Sequence, residues 1–427
     1  MTETIFALSS GPPPAALAVV RISGPGAGGA LEALAGKLPK SRRATLVALR
    51  DPAGGTELDR ALGLWLPGPG TATGEDVAEL HLHGGRAVVA AVETALARLP
   101  GLRRAEAGEF TRRAFANGKL DLAEAEGLAD LLSAETELQR RTALAMASGA
   151  LSRLVEDWRK RALALSAQVE AALDFSDEDD VTGLPPSFAG ECDGLAAELE
   201  GLLAQPRAEP LREGFRVVLA GPPNAGKSSL FNVLTGSEAA ITAPTAGTTR
   251  DVITRTVSVE GVPLQFVDTA GLRLVTEDAI ERIGIDRALG ALDEADLVLW
   301  LGEEGQAPRA AAAWEIEAKC DRPDHPKRVP RHRVSALDAS GVEALRCDLV
   351  HTARSSLPKP GALALAERQH RLLSECRAAL SSAANQSDPL LAAENLRLAR
   401  VSLDRLVGRS GTEDMLDALF GRFCIGK

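Results

Sequence analysis

Gly221-Pro222-Pro223-Asn224-Ala225-Gly226-Lys227-Ser228 has the spacing of a phosphate-binding loop. Its glycines allow backbone N–H groups to close around phosphate oxygens. Lys227 is placed to reach the β and γ phosphates, and the Ser228 hydroxyl to ligate Mg²⁺. Asn224, Ala225, Gly226 and Ser229 complete the phosphate-facing set. Gly247-Thr248-Thr249-Arg250-Asp251 follows at a distance suited to a switch loop, with Thr249 as the second Mg²⁺ ligand. Next comes Asp268-Thr269-Ala270-Gly271. There Asp268 can hold Mg²⁺ through water, and the Gly271 N–H can meet a γ-phosphate. Alone, that last motif is weak; in this order and spacing the set points strongly to a P-loop nucleoside triphosphatase.

Guanine recognition normally needs Asn or Thr followed by Lys-x-Asp. The nearest match is Ala318-Lys319-Cys320-Asp321, which lacks the leading amide. Asp321 can still accept from the N1 and N2 side of guanine, and Lys319 can pack on the ring. The lost contact is worth about 1 kcal/mol. Ser335-Ala336 stands where the last guanine contact belongs. Leu272 occupies the place where many such enzymes carry a water-orienting Gln, so another group must do that work. Glu281 is the best candidate, although from the residues alone an exposed carboxylate at a helix N-terminus is the stronger interpretation. Charge developing in the transition state could be met by Arg250 or Arg273, or by a monovalent cation beside the hard side-chain oxygen of Asn224.

Elements of the right kind surround these loops. Phe215 to Ala220 is a short apolar strand entering the phosphate loop, and Ser229 to Leu234 continues as a helix. Val252 to Val259 and Val262 to Val267 read as a hairpin around Glu260-Gly261. Earlier, Ala15 to Ile22 reads as a buried strand, Val77 to His83 as an alternating strand, and Ala87 to Leu99 as a helix. From Lys119 to about Phe175, and again beyond Pro358-Lys359-Pro360, leucines recur at sums of three and four, the stripe of amphipathic helices. The expected fold is therefore α/β plus all-α. Residues 1–118 form an α/β domain, 119–211 the first part of a helical domain, 212–356 an inserted Ras-like P-loop domain, and 357–427 the second helical part. A chain of 427 residues is too long for one typical core. Aromatic residues at 3%, with no tyrosine, also favour packed helices.

Across nearly the whole chain these residues resemble the MnmE (TrmE) family of tRNA-modification GTPases. The resemblance is carried by Val20-Arg21-Ile22-Ser23-Gly24, Gly74-Glu75-Asp76-Val77, His83-Gly84-Gly85, Gly108-Glu109-Phe110-Thr111 and Lys119-Leu120-Asp121-Leu122. Glu281-Arg282-Ile283-Gly284-Ile285 and Phe423-Cys424-Ile425-Gly426-Lys427 extend it. It implies an N-terminal dimerising domain that binds a tetrahydrofolate derivative (5-formyl or 5,10-methylene), contacted by Arg21, Glu79, Lys119 and Lys427. It implies K⁺ held by Asn224 with Ala243, Thr245 and Thr248, bringing two GTPase domains together. It also implies that Glu281 orients the hydrolytic water through a bridging water, and that Cys424 takes part in the modification chemistry. The implied partners are a second copy, the flavoprotein MnmG and tRNA. The implied reaction adds a carboxymethylaminomethyl or aminomethyl group at C5 of a wobble uridine. Ala318 stands where the family pattern has Asn, so weakened guanine affinity and weakened selection of GTP over ATP are expected.

A rival class is a GTPase switch in ribosome assembly of the Era type, and a third is a GTPase-impaired homologue. The net charge of −11 argues against a general nucleic-acid coating protein. Arg98, Arg103, Arg104, Arg112 and Arg113 could form a basic face for phosphates, or a salt-bridged surface shared with Glu106 and Glu109. His81 and His83 share a strand face but lack a third ligand nearby, so a structural role is favoured over metal. Five widely spaced cysteines without a CxxC pair suggest reduced thiols, and no basic leader or long apolar run is visible, so a cytoplasmic protein without membrane association is expected.

Overall fold

The computed structural model describes residues 3–174, 184–236, 253–269, 290, 292–308, 312–322, 326–410, 413–421 and 423–427. The chain divides into two compact units, Met1–Ala129 with Asp404–Lys427, and Asp130–Leu403.

The first unit is built on six strands: β1 (Thr4–Leu8), β2 (Leu17–Ser23), β3 (Thr45–Arg50), β4 (Glu57–Leu66), β5 (Val77–His83) and β6 (Leu102–Arg104). Their order is β3-β4-β5-β2-β1-β6, antiparallel except for the β1–β6 pair. In β2, Ala18, Val20 and Ile22 are buried while Val19 and Arg21 turn to the other face, as a period of two demands. Helices α1 (Ala27–Ala35) and α2 (Arg86–Ala97) send Leu31, Leu34, Val89, Val92 and Leu96 into that core. The β2 strand starts at Leu17, two residues later than its apolar pattern, because Ala15 instead donates its N–H to the Gly84 carbonyl (3.0 Å) outside the ladder. Helix α2 closes at Ala97 with a tight turn in which the Leu99 N–H reaches Leu96 O (3.0 Å); Pro100 disfavours helical geometry at the residue before it. Helix α3 (Glu109–Ala116) and the start of α4 (Leu122–Ser133) follow. A segment from the far end of the sequence completes this unit. Leu419, Phe420 and Phe423 pack with Leu122 and Ala125, and Leu122 N donates to Val407 O (3.2 Å).

The second unit contains helices α5 (Glu137–Ala147), α6 (Ala150–Asp174), α7 (Phe188–Leu203) and α8 (Glu209–Glu213), strand β7 (Phe215–Ala220), helix α9 (Lys227–Gly236), strands β8 (Ile253–Val259), β9 (Val262–Asp268), β10 (Leu297–Trp300), β11 (Ala313–Ala318) and β12 (His332–Val334), then helices α10 (Val342–Ser356), α11 (Glu367–Ala384) and α12 (Pro389–Leu406). Helix α13 (Glu413–Phe420) belongs to the first unit. The sheet order is β12-β11-β10-β7-β9-β8, parallel throughout except that β8 pairs antiparallel with β9. Continuous apolar strands such as Phe215–Ala220 are what a sheet covered on both faces requires. Helix α5 opens with a capping box in which Thr136 and Gln139 satisfy each other's backbone N–H groups. That cap sends Leu138 into the same core as Phe215, Val257 and Phe266, and lets Gln139 Nε2 donate to Leu211 O (2.9 Å). Glu137 to Gln139 were expected only as part of a helical stripe; their docking against the sheet depends on contacts far away in sequence.

Helices α7 and α11 pack together and bury one thiol each. Burial pushes Cys192 and Cys376 up to about 12, with the neighbouring carboxylates of Asp193 and Glu191 adding to the shift at Cys192. Against an ordinary thiol at 9.0, that means about 10³-fold less thiolate at any pH below both values. At pH 8, iodoacetamide is therefore expected to modify the exposed Cys347 and Cys424 quickly and to leave Cys192 and Cys376 unmodified until the fold is opened by denaturant. A mass-spectrometric time course that labels all five at one rate would refute this packing.

Candidate functional site

The phosphate loop lies where β7 ends and α9 begins, at the carboxyl edge of a parallel sheet, the usual place for a ligand in such a fold. Asn224 takes φ +62°, a left-handed position that Asn tolerates better than most side chains. Lys227 folds back over the loop, and its Nζ donates to Gly221 O and Pro222 O, both at 2.8 Å. It is almost fully buried. Burial lowers its pKa, and the negative charge of Asp268 opposes that shift. Asp268 is 3% exposed and pairs in register with Leu219 at the end of β7, so the sheet itself brings the acid beside the loop. Thr269 Oγ1 donates to Leu219 O (2.7 Å), fixing the first turn after β9. A lysine and a carboxylate brought together at the start of a helix suit a Mg²⁺-chelated triphosphate.

Beside the loop lies a cavity of about 230 Å³ lined by Gly226, Ser229, Ala318, Lys319, Asp321 and Ala336, with Leu230, Val334 and Leu337 on its walls. Lys319 takes φ +55°. The turn is held by Arg322 N to Lys319 O (2.8 Å) and Cys320 N to Val334 O (3.1 Å). Ser335 is fully buried and accepts from Leu337 N (3.2 Å). So Lys319, Asp321, Ser335 and Ala336 are brought to one place, together with Gly226 and Ser229 of the phosphate loop. The leading strand is less polar than its sequence suggests. In β11, Trp314 and Ile316 are buried, and the two acids are tied down: Lys327 Nζ donates to Glu315 Oε2 (2.5 Å) and to Trp300 O (2.8 Å), while Lys327 N donates to Glu317 Oε2 (2.9 Å). Lys327 was not singled out in the sequence, and its only signal there was a basic residue opposite two strand glutamates.

In the first unit, Arg21 and Glu79 stand opposite each other in the β2–β5 register, with Arg21 Nε donating to Glu79 Oε1 at 3.0 Å. Phe110 lies under the guanidinium at 5.8 Å. His81 Nε2 is 3.4 Å from the other Glu79 oxygen. The Lys119 stem crowds Gly74, since a Cβ there would come within 2.9 Å of Lys119 Cε. The tail is anchored nearby: Ala107 bridges antiparallel to Ile425, and Ser9 Oγ donates to Gly426 O (2.8 Å). Cys424 is exposed, and Lys427 N donates to Cys424 O (3.2 Å). The arrangement offers a paired arginine and carboxylate beside an aromatic ring, a donor–acceptor set that fits a planar heterocycle bearing N–H and carbonyl groups.

Ala243, Thr245, Thr248, Thr249, Ala270, Gly271 and Glu281 lie outside the described residues, as do Arg250, Leu272 and Arg273. The arginine cluster is a salt-bridged surface. Arg98 pairs with Asp51, Arg103 with Glu3 and Glu109, Arg104 with Glu93, Arg112 with Asp417, and the buried Arg113 with Glu75 and Glu109. His83 Nδ1 is tied to Asp59 (2.7 Å), and no metal-ligating group of three is present among the described residues.

The sheet order and the strand–loop–helix carrying Gly221 to Ser228 define a P-loop GTPase domain within a longer chain. Two family models match: "GTP-binding protein TrmE N-terminus" over 4–119 and "MnmE helical domain" over 122–424. The chain belongs to the MnmE family of tRNA modification GTPases. Relatives bearing that name are 64% identical in Novosphingobium aromaticivorans and 62% identical in Erythrobacter litoralis, each covering 100% of both chains. A third, in Rhizorhabdus wittichii, is 58% identical over 100% of this chain and 97% of the relative. Among the described residues no helix is long and apolar enough to cross a membrane.

Proposed function

We propose that this chain hydrolyses GTP and couples the hydrolysis to tRNA modification. In this proposal it works in the cytoplasm with the flavoprotein MnmG to place a carboxymethylaminomethyl or aminomethyl group at C5 of a wobble uridine. The observation that carries the GTPase half is Lys227, buried beside Asp268 with its ammonium on the Gly221 and Pro222 carbonyls. A triphosphate would draw Lys227 off those carbonyls onto its β and γ oxygens. Ser228, Thr249 and Asp268 would hold Mg²⁺, which neutralises phosphate charge when bound. Asn224, Ala243, Thr245 and Thr248 would hold K⁺, and Glu281 would orient the water. Thr269, Ala270 and Gly271 would follow the γ-phosphate. Arg21, Glu79, Lys119 and Lys427 would bind the tetrahydrofolate derivative in a homodimer, with Cys424 nearby for the modification step.

The deciding experiment is nucleoside mass spectrometry on tRNA from bacteria lacking their own protein, with MnmG present. The modified uridine should return with this chain and be lost again with Lys227→Ala. Its absence with a folded, expressed chain would overturn the coupling to tRNA. The cation proposal has its own readout: GTP turnover should be at least tenfold faster in K⁺ than in Na⁺ at equal ionic strength, since only an ion of the right size can sit against the Asn224 oxygen. Equal rates in the two salts would remove K⁺ from the mechanism.

A further inference from the structure

We propose that the second unit carries a binding site for a small organic ammonium ion, an amine on a compact apolar body, in a cavity walled by α5, α8 and β8 where two accepting side chains have no partner among the described residues.

The cavity holds about 280 Å³. A single water needs only about 10–15 Å³, and small-molecule pockets begin near about 300 Å³. Much of the wall is apolar. Ala143 and Met146 come from α5, Ala208 and Leu211 from the approach to β7, and Ala364 from the segment after α10; all five are buried. Ala208 N donates to Leu365 O (3.0 Å), which ties the two chain crossings together beside the cavity, and Thr256 brings β8 to it. Such walls suit an apolar body better than a cluster of waters, each of which would need two or more polar neighbours.

Two groups define the polar end of the ligand. Thr142 lines the cavity and is 3% exposed, yet its Oγ1 makes no hydrogen bond. A helical threonine can return its hydroxyl to the carbonyl four residues back. Thr94 does so to Ala90 O (2.7 Å) and Thr235 to Phe231 O (2.8 Å), but Thr142 does not. A buried hydroxyl without a partner is costly, and a donor in the cavity would remove that cost. Glu135 stands at the turn before α5. Its backbone N–H serves the cap by donating to Gln139 Oε1 (2.9 Å), while its carboxylate has neither a hydrogen bond nor an ion pair among the described residues. Loss of water around that carboxylate raises its pKa, and no cation opposes the shift. The other acid of the lining, Asp130, is already matched by Arg212 at 2.7 Å. The lining therefore carries one carboxylate in excess, which selects a cation. An ammonium ion carries donors and no acceptor, as a carboxylate and an unmet hydroxyl oxygen require.

Met146 gives a direct readout. The chain has three methionines, Met1, Met146 and Met415, and of these Met146 lines the cavity. In NMR spectra of the full chain with isotope-labelled methionine methyl groups, cyclohexylammonium should shift the Met146 signal saturably, with a Kd on the order of 1 mM, and leave the other two in place. Met146→Leu identifies the signal. Glu135→Gln keeps the backbone cap and should weaken binding about threefold to fivefold. Thr142→Val keeps the shape without the hydroxyl. It should weaken binding by a similar factor and leave the melting temperature unchanged or raised, whereas loss of a hydroxyl that serves the fold would lower it. No saturable shift at Met146 up to about 20 mM would mean that the cavity holds water alone, and would overturn the proposal. Binding of cyclohexylmethanol or cyclohexanecarboxylate as tight as that of the ammonium would overturn the assigned charge. Unchanged affinity in both Glu135→Gln and Thr142→Val would place the probe elsewhere and count against the site.

Discussion

Lys227→Ala should abolish measurable GTP hydrolysis, lowering kcat by 10²–10³-fold or more, the usual loss when a single preorganised charge-stabilising group is removed from a water-excluded site. The structure adds a second consequence. Lys227 is the donor to two loop carbonyls, Gly221 O and Pro222 O, and it interacts electrostatically with the almost fully buried Asp268. Alanine would leave those carbonyls without their donor and remove a positive charge that acts on Asp268. Unmet buried groups cost about 1–3 kcal/mol each, reduced here to the extent that water enters the vacated space. The same variant should therefore melt earlier than wild type in the absence of nucleotide, and should lose the thermal stabilisation that GTP confers. Phosphate-release assays and melting curves with and without GTP check both parts. Hydrolysis within a few-fold of wild type would mean that the lysine is not the phosphate-contacting residue.

A Gly108→Ala change is expected to have the largest structural effect in the first unit. Gly108 takes φ +69°, where a side chain is strained, at the N-cap of α3. An added Cβ would also come within 2.1 Å of the Phe420 carbonyl oxygen and 2.8 Å of its carbon, so the backbone itself must move. Strain at such a position costs about 1–3 kcal/mol before the clash is counted, and a total of about 3 kcal/mol or more is expected. The effect should be directional. Phe420 packs with Phe115 and Phe423, and the residues after it form the Ala107–Ile425 bridge and the Ser9–Gly426 bond. Displacing Phe420 should free the segment that carries Cys424 and Lys427. Limited carboxypeptidase digestion should then remove it faster, Cys424 should react faster with iodoacetamide, and reduced-folate binding should fall. GTP hydrolysis, carried by the second unit, should persist. Wild-type melting with a protected tail would show that the Gly108–Phe420 approach relaxes at little cost.

Legibility in the sequence followed how local each signal was. β7 and β5 run over the residues their patterns mark out, because one is an apolar run closed by glycine and the other alternates up to Gly84-Gly85. The β8–β9 hairpin was visible through Glu260-Gly261, both of which take positive φ. β6 was not visible: three residues, Leu-Arg-Arg, owe their strand character to pairing with β1. In β11 the sequence Trp314-Glu315-Ile316-Glu317 is polar at every second position, and nothing nearby announces Lys327 as the partner of its acids. The proposed phosphate loop could be read from the sequence alone because its residues are consecutive. Arg21 and Glu79 are 58 residues apart, and only family resemblance joined them before the register did. The buried Arg113, which reaches Glu3 O, Ser23 O and Glu75, was read as a surface charge, because a helix sequence does not reveal which face a neighbouring loop will cover.

The division of the chain carries a consequence for how it is made. The first unit needs residues 404–427, which leave the ribosome only after the whole of 130–403 has been synthesised. Until then Leu122, Ala125 and Phe115 lack Leu419, Phe420 and Phe423 as neighbours, and their apolar surface is left open in the nascent chain. The second unit, contiguous in sequence, can complete its sheet in the meantime. Birth order and folding order are thus reversed for the earliest residues, and closing the first unit means joining segments nearly 300 residues apart, at the loop-closure cost such a separation imposes. Translation that halts within residues 404–427 would release a nucleotide-binding unit already formed and a first unit still open, a product that quality-control proteases recognise by its exposed leucines and phenylalanines.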